Sequence, residues 1–332
     1  MSKVCVVYTH HKLGDLIWQL PYIKSISDHH KKKVEIIVRS KTQAKKLLID
    51  LKYIKEIHYN EFRKGLFYWI DVWYLIDIFN KKKYSFVYLL DKVNKTALAA
   101  KIAGIRNIIG PGINNQKKWL TNNNFLTEDD RKLSYSEQSQ KLLKINSIKI
   151  NNYFPKIKFN RERYINFEKI NNIKSNRVSF GVDSFEDYKI WYEKNFIILA
   201  DLLHKKKLFD YVYLICSRER ADIAKKIIDL SQKKYFIDCS QYNIQEISFI
   251  IGNSNFFVGN NSGPLNLAAA LNVKSYGLIV NDPVSELKYS KIKPIHPKNY
   301  VDNKWIRSRK NMNSLNPKTV YEYILKDLKN ES

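Results

Sequence analysis

The chain is expected to fold as an α/β protein in two halves, each built on a largely parallel sheet. Three observations carry that expectation. Short apolar runs alternate with longer stretches of helical period from the first residues onward, and the alternation resumes after a polar interval near the middle. Hydrophobic residues make up 44% of the 332 and aromatics 13%, enough for a substantial core at a length comfortable for two ordinary domains. The stretch FFVGNNSGPLNLAAALNV, Phe256 to Val273, reads as strand, tight turn and small-residue helix, with Pro264 where a first helical turn tolerates it.

In the first half, Lys3 to Thr9 is a strand, His10 to Gly14 a loop and Leu16 to Ser27 a helix. Val34 to Val38 is a strand, Thr42 to Asp50 a helix, Ile54 to His58 a short strand and Leu66 to Phe79 an aromatic-rich helix. Phe86 to Leu90 is a strand, Lys95 to Ala103 a helix closed by Gly104, and Ile108 to Gly110 a last short strand. Asn114 to Ser134 reads as irregular, and Tyr135 to Lys144 as helix. The second half runs from a strand at Arg177 to Val182 through helix Phe196 to His204, strand Tyr211 to Cys216, helix Arg220 to Leu230, strand Phe236 to Asp238 and helix Ile244 to Ile251. After the Phe256 to Val273 stretch come a strand at Ser275 to Val280, a basic tail and a last helix from Pro317 to Lys329. The expected organisation is therefore an N-terminal domain (1–160), a linker (161–176) rich in Asn, Lys and Arg, and a C-terminal domain (177–332) whose final helix packs back on the first. Two such halves imply a ligand cleft between their sheets, at the carboxyl ends of strands.

Lys and Arg outnumber Asp and Glu by 58 to 32, a formal charge of +26, which favours an anionic partner such as a phosphorylated substrate, an acidic membrane face or nucleic acid. The excess is mostly lysine in short scattered runs, and no nucleic-acid-binding module is recognisable, so no specific nucleic-acid partner is expected. The three cysteines, Cys5, Cys216 and Cys239, have no metal-like spacing, and Cys5 and Cys216 lie in apolar runs as inert thiols. With no signal-peptide pattern and no apolar segment long enough to span a bilayer, a cytoplasmic protein is expected, docking at most peripherally on the inner membrane face.

Candidate site residues stand at strand-to-helix junctions. Asp15 follows Gly14 at the first junction, where it either caps a helix or faces the cleft. Lys189 and Trp191 precede a helix in the second half, and Glu219 follows a strand there. Ser262 and Gly263 stand at the positive end of a helix, a seat for a phosphate; the plainer alternative for Ser262 is a simple helix cap. Neither a dinucleotide-binding nor a P-loop fingerprint occurs. The pairs His10–His11 and His29–His30 lack ligand partners at metal spacing, and no D-x-D triplet occurs, so neither a metal nor a cofactor is expected.

Taken together and in order, LGDLIWQLPYIKSI, VEIIVRSKTQAKKLL, YSFVYLLD, AKIAGIRNIIGPG, YKIWYEKNFIILADLL, SRERADIAKKI, FFVGNNSGPLNLAAALNV and NPKTVYEYI resemble the heptosyltransferases of lipopolysaccharide core synthesis, glycosyltransferase family 9. The resemblance implies a GT-B fold of two Rossmann-like domains. It also implies an inverting, metal-independent transfer of a sugar from a nucleotide-diphosphate donor, ADP-heptose in that family, to a glycolipid acceptor. It makes Asp15 the base and Lys189 the phosphate-holding lysine. Glu219 approaches the nucleoside, and Asn261, Ser262, Gly263 and Asn266 surround the donor. The family reads Asp-Ser-Gly-x-x-His where this chain has Asn261 and Asn266, and Asn281-Asp282-Pro283 replaces a Gly-Pro-Thr-like turn. Amides hydrogen-bond but carry no charge. The departures point to a different donor sugar or to reduced activity, the alternative being a catalytically degenerate nucleotide-sugar-binding protein.

Overall fold

Apolar runs too short for helices become the strands of two parallel sheets in the computed structural model, which describes residues 3–63, 65–302 and 306–330. The chain divides into two compact units, Met1–Pro155 and Lys156–Ser332. In the first, β1 (Val4–Val7), α1 (Leu13–His30), β2 (Val34–Val38), α2 (Ala44–Leu48), β3 (Ile54–Tyr59), α3 (Tyr68–Lys82), β4 (Phe86–Leu89), α4 (Asn94–Ile102) and β5 (Asn107–Ile109) alternate, and α5 (Tyr135–Ile145) follows. The five strands lie in the order β3-β2-β1-β4-β5, all parallel.

The second unit contains α6 (Arg161–Ile170), β6 (Arg177–Gly181), α7 (Glu193–His204), β7 (Tyr211–Ile215), α8 (Ala221–Ser231), β8 (Phe236–Asp238), α9 (Ile244–Gly252), β9 (Phe257–Asn260), α10 (Gly263–Ala270), β10 (Ser275–Leu278), β11 (Ile292–Ile295) and α11 (Pro317–Lys329). Its six parallel strands run β11-β10-β9-β6-β7-β8. Both sheets start in the middle and reverse direction beside their first strand, as doubly wound sheets do. Strands covered by helices on both faces are buried throughout, as β1, β2, β6, β9 and β10 are, and their few charged residues are paired: Glu35 of β2 with His58 and Arg177 of β6 with Glu168.

Each unit has its own core. Cys5, Val7, Ile37, Leu75, Val87 and Leu89 belong to the first; Phe180, Trp191, Phe196, Val212, Leu214 and Val258 belong to the second, together with Val320 and Ile324 of α11. All three cysteines are buried and unpaired, and burial pushes the Cys216 thiol up to about 12, consistent with inert packing groups.

Three elements differ from expectation. The stretch read as a linker contains α6. There Asn160 caps the helix by accepting from the Glu162 and Arg163 amides, and Phe167 is buried against the Tyr242 and Phe249 rings. Part of the basic tail becomes β11, paired with β10 from Ser275 opposite Ile292 to Leu278 opposite Ile295. The helix expected over Thr42 to Asp50 shortens to α2, because a 3-10 turn at Ser40–Thr42 and a left-handed Gln43 occupy its start.

Candidate functional site

In a doubly wound sheet the crevice that accepts a ligand opens at the carboxyl ends of the strands where the order reverses. The first unit reverses between β1 and β4. There the chain leaves β1 through Tyr8, Thr9 and His10 and enters α1. Lys12, with extended backbone, holds the cap position, so Asp15 does not cap the helix but lies in its first turn. A carboxylate there is favoured by the positive helix end. The Asp15 side chain remains 33% exposed, with His10 Nδ1 3.7 Å from its Oδ2. The His10 ring is stacked on Tyr8 and tilted against Tyr135. Burial, then the charges of Asp15 and Asp91, push the Tyr8 phenol well above its usual range.

Asp91, just past β4, is a clamp: its Oδ2 accepts from the Thr9 amide at 2.5 Å and its Oδ1 from the Val93 amide at 3.0 Å. This ties the two sides of the reversal point together. Beside it, at the start of α4, Asn94 Oδ1 and Thr96 Oγ1 are buried without a hydrogen-bond partner. Each such atom costs about 1–3 kcal/mol, so the pair marks a place where a polar molecule would be welcome.

The second unit reverses between β6 and β9. Gly181 faces Gly259 across the strands, and a Cβ on Gly259 would lie 2.8 Å from the Gly181 carbonyl oxygen, so the close approach requires glycine. Asn260, fully buried at the end of β9, accepts from the Trp191 amide and donates to the Val182 carbonyl, both at 3.0 Å. It therefore fixes the segment that carries Lys189. The Trp191 indole donates to the Leu315 carbonyl. Asp183 accepts from the Ser217 amide at 2.7 Å, and burial raises its carboxyl above the usual range.

Lys189 is only 11% exposed. Its Nζ is 2.8 Å from Asp282 Oδ1 and 3.6 Å from Glu186 Oε2. Burial alone would lower its pKa, but the charge and hydrogen bond of Asp282, with Glu186, raise it above the ordinary lysine value. Asn261 Nδ2 donates to the other Asp282 oxygen at 3.0 Å. Ser262 precedes α10 but makes no side-chain cap: its Oγ is buried and unpartnered, as is Oδ1 of Asn266, itself 9% exposed. The plain capping explanation for Ser262 therefore fails. With Gly263 opening the helix, the positive helix end and the Ser262 hydroxyl can donate to an anion, while the Asn266 oxygen can accept from a ligand hydroxyl.

The structure thus brings Lys189, Asn261 and Asp282 into direct contact and sets Ser262, Gly263 and Asn266 on the adjoining turn and helix. Glu219 is an exposed residue of a 3-10 turn ahead of α8, in which Arg220 pairs with Asp187 of the turn that carries Lys189. Sequence reasoning missed Asn260, Asp183, Asn94 and Thr96, and treated Asp282 only as a departure. For Asn260 and Asp183 the available signal was a polar residue at the end of an apolar strand; Asn94, Thr96 and Asp282 stand farther beyond their strands, where no local signal marks them.

A group with metal-ligand proximity among the described residues is Glu35, Glu56 and His58, whose ligand atoms lie within 4.8 Å of one another. Protein groups already engage it, since Tyr84 donates to Glu35 at 2.7 Å and Lys82 to Glu56 at 2.6 Å. Burial raises the Glu35 carboxyl, but hydrogen bonds from Tyr84 and His58 and the Lys82 charge outweigh it and hold it below the usual range.

Among the described residues no helix is long and apolar enough to cross a membrane. The family model "Glycosyltransferase family 9 (heptosyltransferase)" matches residues 73–288. Comparison with curated protein sequences found no match. Among solved structures, the chain resembles E. coli ADP-heptose LPS heptosyltransferase II, with a TM-score of 0.79 and 16% identity over 99% of this chain and 100% of that one. It also resembles a family 9 glycosyl transferase from Veillonella parvula, at 0.75 and 14% over 97% of each chain. A third likeness is to E. coli heptosyltransferase WaaC with ADP, at 0.75 and 12% over 98% and 99%. At these identities the likenesses establish the fold.

Proposed function

The chain belongs to glycosyltransferase family 9, and from that premise we propose that it transfers a sugar from a nucleotide-diphosphate donor to a glycolipid acceptor, of lipopolysaccharide-core or similar type, with inversion and without a metal. The observation that carries the donor half is the second unit's cluster: a buried lysine beside a helix N-terminus whose Ser262 and Asn266 oxygens are unpartnered. Fixed positive charge and backbone donors of this kind stabilise a departing diphosphate. Glu219 is proposed to approach the nucleoside, and Asn261, Ser262, Gly263 and Asn266 to surround the diphosphate and sugar.

Asp15 is proposed as the base. In direct displacement the acceptor oxygen forms a bond to the anomeric carbon while the bond to the diphosphate oxygen breaks and its electron pair leaves with the diphosphate; the acceptor proton passes to Asp15. A partly exposed carboxylate beside His10 suits that task. The solved relative with ADP makes an adenine nucleotide sugar, ADP-heptose included, the first donor to try.

The test is transfer and donor hydrolysis across a panel of nucleotide sugars. Asp15→Ala should lower turnover by about 10²–10⁴-fold while nucleotide binding measured by calorimetry persists. Equal turnover in wild type and variant sinks the mechanism. Nucleotide binding with no transfer to any extracted lipid instead supports the degenerate binder that Asn261 and Asn266 motivate.

The reading includes peripheral work at the inner face of the cytoplasmic membrane. Its support is a run of exposed apolar residues entering and lining α3: Leu66 (94% exposed), Phe67, Trp69, Ile70, Trp73 and Tyr74. Aromatic residues of this kind favour membrane interfaces, and the +26 charge favours an anionic leaflet. Trp69→Ser with Trp73→Ser should reduce co-sedimentation with phosphatidylglycerol vesicles at low salt by about tenfold. Undiminished binding would remove α3 from the proposal.

A further inference from the structure

The donor-site reading leaves Asp282 without a role. It stands four residues past β10, 1% exposed. Its Oδ1 faces Lys189 Nζ at 2.8 Å, its Oδ2 accepts from Asn261 at 3.0 Å, and its carbonyl accepts from the Tyr300 hydroxyl at 2.7 Å. A buried carboxylate is costly and persists only where partners offset it, and Lys189 is its cationic partner. Glu186 lies 3.6 Å from the same ammonium. The cation therefore already faces two carboxylates before any ligand arrives, and the cluster of these three side chains is net negative.

This arrangement is unusual for an anion site. A lysine that grips a diphosphate would be expected to stand open or to face neutral groups. Here the protein supplies its own anion on that lysine, from the loop after β10, two strands away from β6 in the same sheet, and locks it with Asn261. A diphosphate bound at the start of α10 would share Lys189 with Asp282 and would feel its negative charge. Charges a few ångströms apart in a partly buried site interact strongly.

We propose that Asp282 is a built-in counter-anion to Lys189, a positioning residue that weakens the hold of the second unit on a nucleoside diphosphate. The inference rests on the donor-site reading above and adds a consequence for turnover. When the bond between the anomeric carbon and the diphosphate oxygen breaks, the electron pair stays on that oxygen and the leaving group gains one negative charge. Repulsion from Asp282 therefore acts more on the departing nucleoside diphosphate than on the intact donor. The carboxylate loosens the product while it keeps the lysine in place between turnovers.

The experiment uses the full chain and two probes, ADP and UDP, by isothermal titration calorimetry. Asp282→Asn keeps the size of the side chain and removes its charge; Asp282→Ser removes charge and bulk and serves as the second variant if the first folds poorly, as judged by thermal melting. For whichever probe the wild type binds, each folded variant should bind about tenfold more tightly. Once a donor is in hand, the variants should also show lower KM together with lower kcat, as release of the tighter product comes to limit turnover. Unchanged or weaker nucleotide binding in a folded variant overturns the counter-anion role and leaves the donor site standing. Failure of wild type and variants alike to bind either nucleotide overturns the donor-site reading, and this inference with it.

Discussion

The two units repeat one architecture and treat their key charges in opposite ways. Each is a parallel sheet that begins centrally and reverses beside its first strand. In the first unit the carboxylate of Asp15 sits in an opening helical turn, one-third exposed, with an imidazole 3.7 Å away. In the second, the ammonium of Lys189 is sunk to 11% exposure and clasped by Asp282 and Glu186. The sheet order decides where a functional side chain stands; its burial and immediate neighbours decide how far its charge is exposed. Proton transfer needs an accessible group, whereas a lysine that must hold and then release a polyanion benefits from a competitor.

The sharpest way to break this contrast is stability. Removing the lysine of a buried pair strands its carboxylate, at a cost of about 3–5 kcal/mol. Lys189→Met should therefore lower chemical-denaturation stability by that amount, and adding Asp282→Asn should restore much of it. Asp15→Asn, at a more exposed position, should shift stability by no more than about 0.5 kcal/mol. Equal losses for Lys189→Met and Asp15→Asn would mean that Lys189 is no more embedded than Asp15 and that the proposed contrast is false.

Legibility in the sequence followed the range of the interactions. Strand and helix alternation is a local pattern, so β1, β2, β6, β7, β9 and the α10 turn were readable directly. Asp15, Lys189 and the Ser262 turn were singled out by their places at strand-to-helix junctions, and the resemblance supplied their expected roles. α6 was hidden because charged residues dominate Arg161–Ile170 and its main buried apolar anchor is Phe167. β11 was hidden by Lys293 and Pro294 inside a short run; proline is tolerable there because the strand lies at the sheet edge. The Lys189–Asp282 pair was out of reach for a different reason. Those residues meet only because β10 lies next to β9 and β9 next to β6, a tertiary fact that no local pattern encodes.

A smaller effect tests the second unit against itself. Two of its helices begin at polar residues of similar capping propensity. Asn243 caps α9 fully, accepting from the Gln245 and Glu246 amides while its own amide donates to Glu246 at 2.7 Å. Ser262 precedes α10 and caps nothing. Asn243→Ala should cost about 1 kcal/mol of stability. Ser262→Ala should cost close to none, because it removes a buried hydroxyl that has no partner to lose. If the hydroxyl instead serves a ligand, the alanine should weaken nucleotide binding about threefold to tenfold, a hydrogen bond's worth. A stability loss at Ser262 equal to that at Asn243 would return the residue to an ordinary helix cap. A full-strength nucleotide affinity in Ser262→Ala would leave the helix end and Lys189, without the serine, to hold the phosphates.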